Sequence, residues 1–299
     1  MVFCNIFMLI SGLVLSYNYP AVKSLKNFYY KRWKSILIPF YFIFAILFFK
    51  NAVAVGKLFY GPTKLSLIWT LLGVDGYAAY CFNIQTYAII GEWFLGCLIL
   101  FYLLFPLIQN LCCKFRWVRF VVLVACIIGI VLSHLNVVCP NFYISHNPFY
   151  NFLSFFTGMC IAKHVNKLRN LKLAAICVPI IVAGWAIPLP EYLMGVITYF
   201  VGVSLFVFLL NVASYVIRQN TLSKIFNELS TLSMYTFLLQ HVIIIDFQKV
   251  YNPAGWPKAV ICLIACYVVI LIFSKIAQVV VKAIYNSIIF AKLDLIFCN

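Results

Sequence analysis

Charge is what this sequence has least of. Only 9% of its 299 residues are Asp, Glu, Lys or Arg, and just six are acidic. A soluble domain carries about 25% charged residues, so this chain has too little polar surface to stand in water. Period-two alternation is missing as well, which excludes the strands of an outer-membrane barrel. There is no CxxC pair and no His/Cys cluster, so no metal site is expected. No cleavable leader with a basic start opens the chain. Low-complexity segments and clear internal repeats are absent too.

What remains is apolar. Hydrophobic residues make up 66% of the chain and the mean hydropathy is +1.06. Continuous apolar runs of this kind read as spanning helices, each needing about 20 residues for a ~30 Å hydrocarbon core. Lipid requires every backbone polar group to be satisfied internally, which leaves helices. The fold class is therefore all-α: a polytopic helix bundle in the lipid bilayer. About nine spans are expected, at 2–18, 35–54, 87–112, 119–138, 149–163, 171–188, 192–217, 230–251 and 258–284. Residues 1–299 read as one transmembrane domain. The longest connection, about 50–86, holds a short apolar piece from Leu65 to Val74 that is expected along the interface.

The net charge of +16 does not indicate nucleic acid, because the basic residues sit in short loops between apolar runs. Seventeen of the 22 Lys and Arg residues fall on one set of alternate loops. They include Lys31, Arg32 and Lys34, then Lys114, Arg116 and Arg119, then Lys163, Lys167, Arg169 and Lys172. The positive-inside rule makes that side cytoplasmic, with the C-terminus inside and the N-terminus outside. The twelve cysteines are scattered through apolar segments, as small packing residues are. Cys262 and Cys266 share a helix face, and Cys112 and Cys113 are adjacent.

Ionisable groups within apolar runs are costly and mark candidate sites. His241 lies near mid-membrane when its span is counted from about 230 at 1.5 Å per residue. Glu92 enters from the outer end of its span, beside Trp93. His134 and Asp246 read as interfacial or structural. An acidic or His-bearing outer half thus faces a basic inner edge.

Several segments, in order, resemble the membrane-bound acyltransferase-3 family. Ile6 to Ser16 (IFMLISGLVLS) is similar to its "FFxISGxxLS" helix. Ser24 to Pro39, through Lys31-Arg32-Trp33-Lys34-Ser35, is similar to its basic hinge. Leu72-Gly73-Val74-Asp75-Gly76-Tyr77, Gly91-Glu92-Trp93-Phe94-Leu95-Gly96 and Phe101 to Leu107 resemble its next block. Phe155 to Met159 and Ser233 to His241 resemble its later helices.

The resemblance implies a multi-span enzyme moving an acyl group, acetyl being common, from cytoplasmic acyl-CoA to a hydroxyl of a cell-surface glycan or lipid-linked sugar. Within that chemistry, the split between the basic inner edge and the acidic or His-bearing outer half makes His241, as base or substrate orienter, and Glu92 the catalytic candidates. Lys31, Arg32 and Lys34 would hold the donor phosphates, and Trp93 and Asp75 would contact the acceptor. A plasma-membrane location follows, with no nucleic-acid partner.

Three departures stand beside it. The chain opens at what resembles the family's second helix, without the preceding helix and its His. Ser35 replaces the second Arg of an RxxR pattern, and Leu98 to Leu100 replace a carboxylate pair. An inactive truncated remnant and a glycan exporter are therefore the alternative expectations. The DNA upstream of the start distinguishes the first; glycan flux without acyl-CoA marks the second.

Overall fold

A computed structural model describes residues 2–61, 63–87, 89–90, 93–138, 146–187, 193–216, 220–251 and 255–298. Among them there are helices and no strands. The helices are α1 (Val2–Asn18), α2 (Leu25–Val55), α3 (Leu67–Leu72), α4 (Asp75–Phe82), α5 (Trp93–Lys114), α6 (Val118–His134), α7 (Pro148–Ile161), α8 (Val165–Leu168), α9 (Leu171–Ala186), α10 (Met194–Val216), α11 (Asn220–Val250), α12 (Trp256–Tyr285) and α13 (Ile288–Cys298).

Each of the nine expected spans falls on a helix. Leu25–Val55, Trp93–Lys114, Met194–Ser214, Thr221–Val250 and Trp256–Tyr285 are long and apolar enough to cross a membrane, and Val2–Asn18, Val118–His134 and Leu171–Ala186 are shorter apolar helices. The chain is an all-α, multi-pass membrane protein.

Two helices begin about ten residues before their apolar runs. Ser24 caps α2, its side chain accepting from the Asn27 amide, so the helix starts in the basic stretch and carries it into the apolar one. The left-handed Gly56 (φ 72°) closes the same helix, a conformation that costs glycine little. The Leu65–Val74 piece forms α3, ended by Gly73 at φ 69°. Helix α13 was not foreseen.

The chain folds into two compact units. Unit 1 comprises residues 1–23, 80–83 and 96–223. Its core is the crossing of α1 and α7. A Cβ added to Gly12 would lie 1.9 Å from the Phe155 carbonyl oxygen, and one added to Gly158 would lie 2.0 Å from that of Leu9. Only glycine lets the two backbones meet, as at small-residue crossings of membrane helices. Leu9 also packs with Phe206 and Val207 of α10.

The ends of these helices are tied by polar bonds that lipid cannot replace. The Gln109 amide of α5 donates to the carbonyls of Tyr19 (3.1 Å) and Pro20 (3.0 Å) after α1. At the other end, Asn147 caps α7 and donates to Ser133 Oγ of α6 at 2.6 Å.

Unit 2 comprises residues 24–79, 84–95 and 224–299. Helices α11 and α12 run antiparallel. Their pairings are Gln278 Nε2 to the Thr231 carbonyl (3.1 Å), Thr236 Oγ1 with Ser274 Oγ (3.2 Å) and Lys275 with Glu228 (3.1 Å). The Tyr285 hydroxyl at the end of α12 donates to the Lys34 carbonyl. Lys50, near the other end of α2, pairs with Asp246 of α11. Phe48 anchors a ring cluster with Tyr60 (5.4 Å) and Tyr87 (5.6 Å), which holds the 57–61 and 84–87 segments onto α2.

Candidate functional site

All the proposed site residues belong to unit 2. The basic trio lies in the first turns of α2. Lys31 is exposed, while Arg32 is half-buried with its guanidinium 5.9 Å from the Phe28 ring centroid. That stacking holds the planar group against an aromatic face. Ser35, at the position of the family's second Arg, turns its hydroxyl back onto the Arg32 carbonyl at 3.2 Å.

Lys34 differs from its neighbours. Its ammonium binds both Asp294 carboxylate oxygens at 2.8 Å, and the Tyr30 hydroxyl donates to the same carboxylate at 2.7 Å. Around this knot Tyr30 stacks on Phe297 (4.8 Å), and Trp33 on Phe290 (6.1 Å). Helix α13 is thereby docked on the basic start of α2, and Lys34 is engaged by a carboxylate. Reasoning from sequence missed Asp294, because nothing local links residues 260 positions apart.

The Lys34 ammonium, then the Tyr30 hydroxyl, hold the Asp294 carboxyl below its usual range. A depressed carboxyl contributes stability above its unfolded pKa of about 3.9 and loses it as pH falls through the lower folded value. Docking of α13 is therefore expected to be constant from pH 8 to about 5 and to weaken below about 4. Anisotropy of a fluorophore on Cys298, which is exposed, measures this. Asp294→Asn is expected to give the loosened signal at every pH.

Glu92 lies outside the described residues. Its neighbour Trp93 is half-buried at the start of α5. The next residue, Phe94, packs its ring 4.8 Å from Phe237 of α11. Phe237 and His241 are four residues apart and so share a face. The Trp93 segment thus meets α11 within about one turn, ~6 Å, of His241. His241 itself is exposed beside the buried stripe Leu232, Tyr235, Leu238. Among the described residues it makes no hydrogen bond or ion pair.

Asp75 opens α4 and is fully buried; its carbonyl accepts from the Thr86 hydroxyl at 3.4 Å. Helix α3 is fixed to α2 by a bond from the Tyr41 hydroxyl to the Leu71 carbonyl. The structure does not bring Asp75 to a surface, so a direct contact with an acceptor would require this segment to open.

The other ionisable groups have structural partners. His134 Nε2 lies 2.9 Å from the Tyr150 hydroxyl, and Asp246 is shared by Lys50 and Lys249.

The basic trio and His241 lie at different heights. Lys34 and Lys50 are 16 residues apart on α2, about 24 Å at 1.5 Å per residue. Asp246, paired with Lys50, is five residues beyond His241, about 7.5 Å. This route sets His241 about 16 Å from Lys34 along the axis. Counting back through Tyr285, Gln278 and Thr231 gives about 25 Å.

The fold is that of a multi-pass helical membrane protein, with a cationic patch at the start of α2 and an exposed imidazole on α11. The comparison with known families then specifies the class: the Acyltransferase domain matches residues 2–275. The chain belongs to this acyltransferase-3 family and is a membrane acyltransferase. No curated protein matches it, and no solved structure does.

Proposed function

We propose that the protein carries an acetyl group from acetyl-CoA to a hydroxyl of a cell-surface glycan or lipid-linked sugar in the plasma membrane. The Lys/Arg-rich ends would be cytoplasmic, and the C-terminus with them. The observation that carries this reading is the separation, about 16–25 Å along the axis, between the cationic start of α2 and the face of α11 bearing His241. A compact donor cannot bridge that distance; a thioester on a long arm, anchored by phosphates, can.

Lys31 and Arg32, at the basic start of α2, hold those phosphates by charge-assisted bonds. Lys34 joins them when Asp294 releases it. His241 acts as general base: it takes the proton of the acceptor hydroxyl as that oxygen attacks the thioester carbonyl. The tetrahedral oxyanion collapses, the carbon–sulfur bond breaks, and the proton passes to the departing thiolate. Trp93 flanks the acceptor near His241, with Glu92, its neighbour in sequence, as the second catalytic candidate, while the buried Asp75 fixes its own segment through the Thr86 bond.

Mass spectrometry of surface glycans from cells with and without the gene tests the reading. An O-acetyl mass lost on deletion and restored by the wild-type gene is expected. Identical glycan masses in both cells would refute it.

A further inference from the structure

The two units treat their cations differently. In unit 2, Lys34 and Lys275 sit 2.8 and 3.1 Å from carboxylates, and Lys50 has Asp246. Among the described residues of unit 1 there is no such ion pair. Lys114, Arg116, Arg119, Lys163, Lys167, Arg169 and Lys172 gather at the α5–α6 and α7–α9 connections. The one carboxylate in this unit's sequence, Glu191, lies outside the described residues.

Two of these cations flank a small cleft, about 320 Å³ counting its open mouth, at the ends of α1, α5, α6 and α7. Arg119 and Lys163 line it with Ser16, Gln109, Cys112 and Cys160. Arg119 is half-buried. Among the described residues neither cation makes an ion pair or hydrogen bond. The Gln109 amide is already committed to the Tyr19 and Pro20 carbonyls, and the Ser16 hydroxyl donates to Gln109 Oε1 at 3.2 Å. The cleft therefore offers two unneutralised donors and no carboxylate, with the apolar side chains Phe156 and Met159 completing its wall. Among the described residues no carboxylate neutralises this half-buried guanidinium.

We propose that this cleft is a binding site for the phosphate group of a larger ligand, held by Arg119 and Lys163. Arg119 presents the forked donors that suit phosphate oxygens, and Lys163 adds a point charge. The cleft is shallow, so the phosphate would sit at its open mouth between the two cations. Two ligands share that chemistry: the headgroup of an anionic phospholipid, and one phosphate of coenzyme A. The site stands on the geometry of unit 1, not on the reaction proposed above, so failure of acetyl transfer leaves it intact.

The test uses the full chain in neutral detergent. Phosphatidylglycerol retention is followed by native mass spectrometry, and coenzyme A binding by equilibrium titration. Saturable binding of either probe is expected, and which one binds identifies the source. Arg119→Gln with Lys163→Gln is expected to weaken it by roughly tenfold or more. Lys167→Gln with Lys172→Gln removes the same charge outside the cleft and is expected to change it by less than about threefold. A second measurement needs no variant: Cys113, exposed at the cleft, should react more slowly with a maleimide when the bound probe is present. Saturable binding of neither probe, equal weakening by both double variants, or unaltered labelling of Cys113 would overturn the proposal.

Discussion

Gly12→Leu is expected to abolish accumulation of folded protein in the membrane. The added side chain would start 1.9 Å from the Phe155 carbonyl oxygen, and that atom is backbone, so no rotamer change can relieve the overlap. Helices α1 and α7 would have to separate, and α1 would lose its packing on α10 as well. Overpacking a fitted core costs about 1–3 kcal/mol, occasionally more, and the backbone contact sets this case at or above the top of that range. Gly158→Leu should behave the same way, because it meets the Leu9 carbonyl oxygen at 2.0 Å from the other side of the crossing.

Gly184→Ala is the informative contrast. Its nearest neighbour is a methyl group of Val201, 2.3 Å away, and a side chain can move. Detergent-extracted thermal unfolding with fluorescence-detected size exclusion measures all three. A Gly12→Leu protein with wild-type yield and midpoint would mean that the α1–α7 crossing is not the core of unit 1.

His241→Ala is expected to lower acetyl transfer by about 10²–10⁴-fold, the usual contribution of a positioned general base. Stability should change little, since the imidazole is exposed and makes no bond to the described protein. This independence makes the experiment clean: activity falls while yield holds. Arg32→Ala should instead raise KM for acetyl-CoA, and Arg32→Lys should recover only part of the loss, because an ammonium lacks the fork and the flat face that rests on Phe28. Labelled acetyl transfer in isolated membranes reports both. Transfer by His241→Ala within about threefold of wild type would remove the imidazole from the base role.

The spans were legible because the bilayer imposes one length on apolar runs, and α5 and α10, at 22 and 23 residues, obey it. Helix starts were less legible. An apolar run marks where lipid begins, whereas a helix continues through Tyr29-Tyr30-Lys31-Arg32 until a cap such as Ser24 stops it. Counting the His241 helix from residue 230 therefore placed its start ten residues late, since α11 begins at Asn220.

The basic trio could be read as a patch, but its division could not. Lys34 is separated from Arg32 by Asp294, and that pairing depends on how α13 returns to α2. The Gly12–Gly158 crossing was equally hidden, because a glycine in an apolar run looks the same whether it faces lipid or a backbone. In unit 1 the basic loops were read as topology signals. Two of those residues, Arg119 and Lys163, also line one cleft.

The central claim is acetyl transfer from a donor that enters at the Lys/Arg-rich ends. Sealed vesicles of defined sidedness test it most directly, with labelled acetyl-CoA supplied outside. Inverted vesicles, which present the cytoplasmic face, should incorporate label into glycan, and right-side-out vesicles should not until they are permeabilised. Incorporation by right-side-out vesicles alone, or by neither after permeabilisation, would contradict the account.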